Sequence, residues 1–208
     1  LKFVDLDGNN KIEQTTSAND RKDMKVIGNS LPRYNYNFGI SADWYGIDFS
    51  VLFQGIGKQN WYPGAETSMF WGPYSRPYAS FIPSDFMSQV WSEENTNAYF
   101  PRPRGYVALG SNRELAVVNT KYLQNLVYCR LKNLSIGYTL PDKWLSKIGF
   151  EKIRVYFSGE TLLTFTKLHS DYIDPEQASA SNSWKTSKSD ANIYPWAKTY
   201  SFGVDITF

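Results

Sequence analysis

A chain of 208 residues with a formal net charge of +2 and no dense basic cluster carries no electrostatic preference for nucleic acid or for an acidic partner. Aromatic residues make up 17% of it while its mean hydropathy is −0.44, a ring-rich but polar balance that fits carbohydrate-binding β-proteins and outer-membrane barrels with aromatic girdles. No apolar run approaches the roughly 18 residues of a transmembrane helix, which excludes a helical membrane protein and leaves a β-barrel open.

Opening on Leu1 with neither an initiator Met nor a signal peptide, the sequence reads as entered within a longer protein. Residues 1–30 read as a loop. Within them Asp5, Asp7, Asn9 and Lys11 repeat every second residue, the spacing that starts an EF-hand-type calcium loop, with side-chain oxygens at positions one, three and five and a backbone carbonyl at seven. Asn10 stands where such loops have Gly, though Asn tolerates the left-handed turn. Position twelve is Thr16 rather than an acid, so Asp20 is the carboxylate expected to fold back. A weak calcium site and a plain Asx-rich turn both stay open.

Strict alternation begins at Tyr34. Tyr34, Tyr36, Phe38, Ile40 and Ala42 fall on one face, and Asn35, Asn37, Gly39, Ser41 and Asp43 on the other. A short turn at Trp44–Gly46 leads into Ile47, Phe49, Val51 and Phe53, opposite Asp48, Ser50 and Gln54, with Leu52 the one exception. Residues 57–126 then read as a long loop holding Trp61, Tyr62, Phe70, Trp71, Tyr74, Tyr78, Phe81, Phe86, Trp91, Tyr99 and Phe100. A loop of that length needs a small core of its own; stacking on a sugar ring is the other use for these rings, and none is singled out for it.

A third strand is expected over about 127–140, with Leu134, Ile136, Tyr138 and Leu140 on its apolar side; the lone Cys129 within it acts as a small hydrophobe. A fourth covers about 152–166, where Ile153, Val155, Phe157, Leu163 and Phe165 oppose Arg154, Tyr156, Ser158, Glu160 and Thr164. The fifth is the chain end, Tyr200, Phe202, Val204, Ile206 and Phe208 alternating with Ser201, Gly203, Asp205 and Thr207. These strands run to about 10–14 residues, longer than the usual 5–6 of globular proteins and matched to the about 9–11 of a tilted bilayer-spanning strand. Connections alternate short (44–46, about 141–150) and long (57–126, about 167–197), as periplasmic turns and outer loops do. With the last strand ending in the periplasm, both short turns fall on that side and the long loops fall outside. Trp44, Tyr45 and Trp144 would then form one aromatic belt and Trp61, Tyr62, Tyr194 and Trp196 the other. The fold class expected is all-β, an antiparallel transmembrane β-barrel segment with long extracellular loops. A soluble sandwich remains the alternative.

Catalytic residues are not expected. His169 is the sole histidine, so neither a histidine triad nor a multi-histidine zinc site can be built, and no phosphate-binding glycine loop or G-x-S-x-G elbow occurs. Glu93 with Glu94, or Asp171 with Asp174, could be paired carboxylates, but loop acids are ordinarily just solvated.

Eight segments in order resemble the C-terminal part of the SusC/RagA family of TonB-dependent outer-membrane transporters. They are VDLDGNNKI (4–12), VIGNSLPRYNYNFG (26–39), FSVLFQGIGKQNWY (49–62), ENTNAYFPR (94–102), YLQNLVYCRLKNLSIGYTLP (122–141), RVYFSGETLLTFTK (154–167), DPE (174–176) and YPWAKTYSFGVDITF (194–208). The resemblance implies a 22-stranded barrel of which residues 1–208 supply about the last five strands. It also implies a plug domain and a TonB-contacting segment elsewhere in the protein, a SusD-like surface lipoprotein as lid, and oligosaccharides or peptides as imported substrates. The terminal strand, with Phe202 and Phe208, resembles the signal read by the barrel-assembly machinery. Two rival readings stand beside an importer: a soluble or surface-anchored carbohydrate-binding β-sandwich, and a non-transporting outer-membrane adhesin or assembly subunit.

Overall fold

The computed structural model describes residues 3–15, 17, 19–75, 82–103, 108–110, 113–146, 149–181, 188–189, 194 and 196–208. Its frame is one antiparallel sheet of five strands in sequence order: β1 (Arg33–Trp44), β2 (Ile47–Lys58), β5 (Tyr128–Thr139), β6 (Lys152–Thr166) and β8 (Thr199–Thr207). The short strands β3 (Asn60–Pro63), β4 (Gln124–Asn125) and β7 (Lys188–Ser189) form a second sheet in the long connections. Three brief α-helices, α1 (Ser68–Trp71), α2 (Asp142–Leu145) and α3 (Pro175–Ser181), and two 3-10 turns, Gly72–Tyr74 and Phe86–Gln89, complete the regular structure among the described residues. Among the described residues no helix is long and apolar enough to cross a membrane.

The first hairpin turns on Tyr45 and Gly46, at φ 46° and 84°, the left-handed pair that matches strand twist in a two-residue turn. Gly46 is required twice over, because a Cβ there would lie 2.8 Å from the Thr139 carbonyl oxygen.

Register makes the sequence alternation a surface. Residues opposite one another across a sheet share a face. Ile40 faces Val51, and Val51 faces Leu134; Phe49 faces Ile136, Ile136 faces Phe157, and Phe157 faces Phe202. The apolar positions therefore join into one band across all five strands. No second layer covers it among the described residues: Phe38, Ile40, Phe165, Phe202 and Val204 are all exposed. A soluble sandwich would bury that face against another sheet, so the layering is that of a barrel wall. On the opposite face Ser41, Ser50, Ser135, Ser158 and Ser201 line up in one row from β1 to β8. Leu52, the exception to the alternation, lies on this polar face opposite Gly39 and fills the space that glycine leaves.

Strand β5 is not strictly alternating. Its pairing with β2 jumps from Asn133 to Leu131, leaving Lys132 as an extra residue; opposite it, β6 carries both Thr161 and Leu162, with Thr161 at φ 56°. Such a bulge inverts the side-chain phase. Below it the apolar face takes Leu134, Ile136 and Tyr138, and above it Cys129 and Leu131.

The buried core lies in the long connections rather than under the sheet. Trp61, Tyr62, Phe70, Trp71, Tyr74, Phe86, Phe100 and Tyr122 are all within 3% of full burial, with Phe86 stacked on Phe100 at 4.9 Å and Phe70 edge-on to Trp71 at 4.8 Å. The ring-packed loop core is thus the use made of these residues; Tyr78 and Phe81 lie outside the described residues. This corrects the expected outer belt. Trp61 and Tyr62 are interior because β3 turns them into the loop core, where the Tyr62 hydroxyl donates to the Leu115 carbonyl at 2.7 Å and accepts from Asn119 Nδ2 at 2.8 Å. The opposite belt residues Trp44, Tyr45 and Trp144 are exposed as expected.

Candidate functional site

The polar face of the sheet and the loop core meet at one arginine. Arg130 projects from β5 just above the bulge and is only 2% exposed. Its Nε donates to Thr164 Oγ1 on β6 at 2.9 Å, its Nη2 to Asp174 Oδ2 at 2.6 Å and its Nη1 to Glu176 Oε2 at 2.7 Å. Lys132, two residues on, donates to both carboxylate oxygens of Glu176 at 3.0 and 3.1 Å. Without the phase inversion, Arg130 and Lys132 would share the face of Leu134 and Ile136. The bulge puts them on the polar side, where two cations meet two carboxylates and the desolvation cost is offset.

Asp174 has a second task. Its Oδ1 accepts from the backbone N–H groups of Glu176 and Gln177 at 2.9 and 3.2 Å, capping α3. At the far end of that helix, the Ser179 hydroxyl donates to Gln59 Oε1 at 2.7 Å, and Gln59 Nε2 donates to the Ser30 carbonyl at 2.9 Å. One chain of contacts therefore fastens the segment 168–181 over the polar face. Sequence reasoning passed over Arg130 and Lys132. Their signal was present: two charges in phase with the apolar residues of a strand require a bulge or an apolar face carrying cations.

Trp196 does not fit the expected outer belt. Trp196 stands over the Lys132 ammonium, 5.4 Å from ring centroid to nitrogen, and is 52% exposed; since Lys132 reaches Glu176 on the polar face, that is where the ring lies. Tyr194 is exposed at the same end of the chain.

Nearer the short turns the polar face carries a second ion network. Arg154 donates from Nε and Nη2 to the Asp48 carboxylate at 2.8 and 2.6 Å, and from Nη1 to Asp205 at 3.1 Å. Tyr156 lies across the bare backbone of Gly203.

In the first segment the structure brings Asp23, rather than the expected Asp20, beside Asp5 and Asp7, with one oxygen from each within 4.8 Å of the others. Asp20 instead pairs with Lys22 at 3.5 Å. Backbone N–H groups of Glu13 and Leu6 donate to the two Asp23 oxygens, and they hold its carboxyl below the ordinary range. Asp5 accepts from the N–H groups of Gly8 and Asn10, Asp7 from Asn9, and the Asn9 Oδ1 from the Lys11 N–H. Asp5, Asp7 and Asp23 are the side chains that could hold a cation, while Thr16 lies outside the described residues. Asp23 also lines a cavity of about 890 Å³ between the first segment and residues 109 and 116–121, walled by Leu6, Ile12, Met24, Leu109 and Val117.

His169 packs face to face with Tyr99, 3.8 Å between ring centroids, and its Nε2 donates to Gln89 Oε1 at 2.8 Å. Burial pushes its pKa down, against a smaller opposing pull from Asp171. Nothing in this arrangement supplies a nucleophile, a base and an oxyanion donor together.

No family model matches the chain. Among curated proteins it is 31% identical over 212 residues to the TonB-dependent receptor P3 of Formosa agariphila, covering 99% of this chain and 19% of that one. It is 25% identical over 191 residues to TonB-dependent receptor P26 of the same organism, covering 89% of this chain and 18% of the relative. The chain thus spans about a fifth of the length of the relatives it matches. Among solved structures it superposes on the RagAB peptide importer in its closed-closed state with a TM-score of 0.60 at 23% identity, covering 99% of this chain and 20% of that one. The open-open state gives 0.59 at 21%, again over 99% of this chain and 20% of that one.

Proposed function

We infer that this chain, similar along its whole length to SusC/RagA-like TonB-dependent receptors, is the C-terminal barrel portion of an outer-membrane importer. The single observation that carries this reading is the five-stranded sheet with an uncovered apolar band on one face and a row of serines on the other. One face suits lipid and the other a polar lumen. The sheet leaves β1 and β8 with open edges, and further strands of a larger barrel, 22 in all by resemblance, would close them. In this reading residues 1–30 and 57–126 lie on the extracellular side. The imported solutes are oligosaccharides or peptides, moved by coupling to TonB, and a SusD-like surface lipoprotein covers the mouth. Phe202 on the terminal strand and Phe208 just past its end, both exposed, are offered as the signal for the barrel-assembly machinery.

Membrane fractionation of the full-length protein tests this. The importer reading expects it in the outer membrane until detergent is added, co-purifying with a lipoprotein, with uptake lost when the membrane is de-energised. A protein recovered in the soluble fraction, or uptake indifferent to energy coupling, would reject it. We further propose that Asp5, Asp7 and Asp23 hold calcium weakly, in the 10⁻⁴–10⁻³ M range of roughly extracellular sites, ordering the first loop. Calorimetric titration of wild type against Asp23→Asn decides that point, since equal heats would leave only the Asx-rich turn.

A further inference from the structure

The segment 168–181 does not stop at the rim of the sheet. β5 begins at Tyr128, and Arg130 and Lys132 stand two and four positions further along it. At about 3.3 Å per residue the second lies roughly 13 Å down the wall. Asp174 and Glu176 reach those two cations at 2.6 and 3.0 Å, so the first turn of α3 stands against the polar face, below the strand ends. From there α3 climbs to Gln59, one residue past the end of β2, which the Ser179 hydroxyl holds. The loop core buries Leu168, Ile173 and Ala178 of the same segment. Wall, strand end and loop core thus hold it at three places. The hold on the wall is a buried one: the Arg130 and Asp174 side chains are 2% and 6% exposed, and parting them leaves both charges desolvated.

We propose that residues 168–181 form a fixed shelf inside the barrel which, with the loop core seated on it, narrows the outer entrance and limits the width of solute that passes. The assignment rests on the importer reading, in which the polar face lines the lumen. A helix with its side chains is about 10–12 Å across, and α3 takes that width from the opening beside β5 and β6. The shelf selects by size rather than by chemistry, because the charges that hold it satisfy one another. It is also static. A moving lid would be fastened by exposed pairs that salt weakens, whereas a buried pair is screened far less. Arg130 is the positioning residue of this device: it touches no solute and acts through Asp174 and Glu176.

The test uses the full-length protein in intact cells, with Cys129→Ala and a thiol introduced by Ser50→Cys. Ser50 is exposed on the polar face of β2 and pairs with Ser135, which lies beyond Lys132 on β5. Two thiol reagents are added from outside, a small charged maleimide and a maleimide on a long polyethylene glycol chain. The small reagent is expected to label with the shelf held or released. The long one is expected to label only after Arg130→Met releases the shelf, and raised salt alone should not admit it. Limited proteolysis scores release, and heat-modifiability on gels scores assembly. If Arg130→Met fails to assemble, Glu176→Gln with Ser179→Ala decides, since it loosens both ends of α3 and leaves Asp174 paired. Equal labelling by the long reagent with the shelf held and released overturns the narrowing and leaves the importer standing. A segment as protease-resistant in the variant as in wild type overturns the ion-held shelf. Labelling by neither reagent in any form overturns the lumenal placement of the polar face, and the importer reading and the shelf fall together.

Discussion

Asp48 and Arg154 stand on strands that do not touch, yet their side chains meet at 2.6 Å across the polar face. Gly137, on the strand between them, is the reason. Asp48 pairs with Gly137 and Thr139 with Arg154, so the two charges close over a residue with no side chain. A Cβ there would lie 2.4 Å from Asp48 Oδ1 and 2.6 Å from Arg154 Nε.

Gly137→Val should therefore split this pair by sterics alone. Overpacking of this kind costs about 1–3 kcal/mol, seen as a lower urea midpoint for the full-length barrel. An unchanged midpoint with Arg154 still paired would mean that the strands can spread to admit the side chain.

The two faces should answer charge differently. Val204 is exposed on the apolar band opposite Val155, and Val204→Arg should cost on the order of 2–4 kcal/mol at mid-membrane. Its neighbour Asp205 is exposed on the polar side, where Arg154 keeps the Asp48 partner, so Asp205→Asn should be mild. Equal loss of heat-modifiability in the two variants would contradict the assignment of the faces.

Arg130→Met should loosen the segment 168–181. The substitution leaves Asp174, 6% exposed, without its cation and Glu176 with Lys132 alone, and removing one member of a buried ion cluster costs about 3–5 kcal/mol. Limited proteolysis should cut this segment in the variant and spare it in wild type. Adding Asp174→Asn should restore much of the protection, because the unpaired buried charge is then gone while Glu176 keeps Lys132; no recovery would show that Arg130 acts through packing alone.

Acid should weaken the loop core through His169. Its pKa is lowered in the fold, chiefly by burial, so the folded state resists protonation more than the unfolded one does. The stability linked to it is full above the unfolded value of about 6.5 and is lost as pH falls through the lower folded value. Protection factors of the amides near Tyr99 and Gln89, taken against the intrinsic exchange rate at each pH, should fall between pH 7.5 and 5.5, and His169→Gln should flatten that response. A response of unchanged size in the variant would assign the pH dependence to other groups.

Alternation alone determined the five long strands, their apolar and polar sides except above the bulge in β5, and the turn at Trp44–Gly46, because side-chain direction repeats every two residues and is written locally. The sequence equally placed alternating acids in the first loop, but which acid folds back beside them depends on a chain reversal that no spacing encodes; the fold chose Asp23, where two backbone N–H groups await it. Only tertiary structure decided the fate of Trp61 and Tyr62. An aromatic suits a membrane interface and a loop core equally well, and the choice depends on what β3 packs against. The same holds for Arg130: read on a uniform strand, it falls among the residues of the apolar face. One extra residue at Lys132 inverts the phase, and only pairing with β2 and β6 reveals where that residue sits.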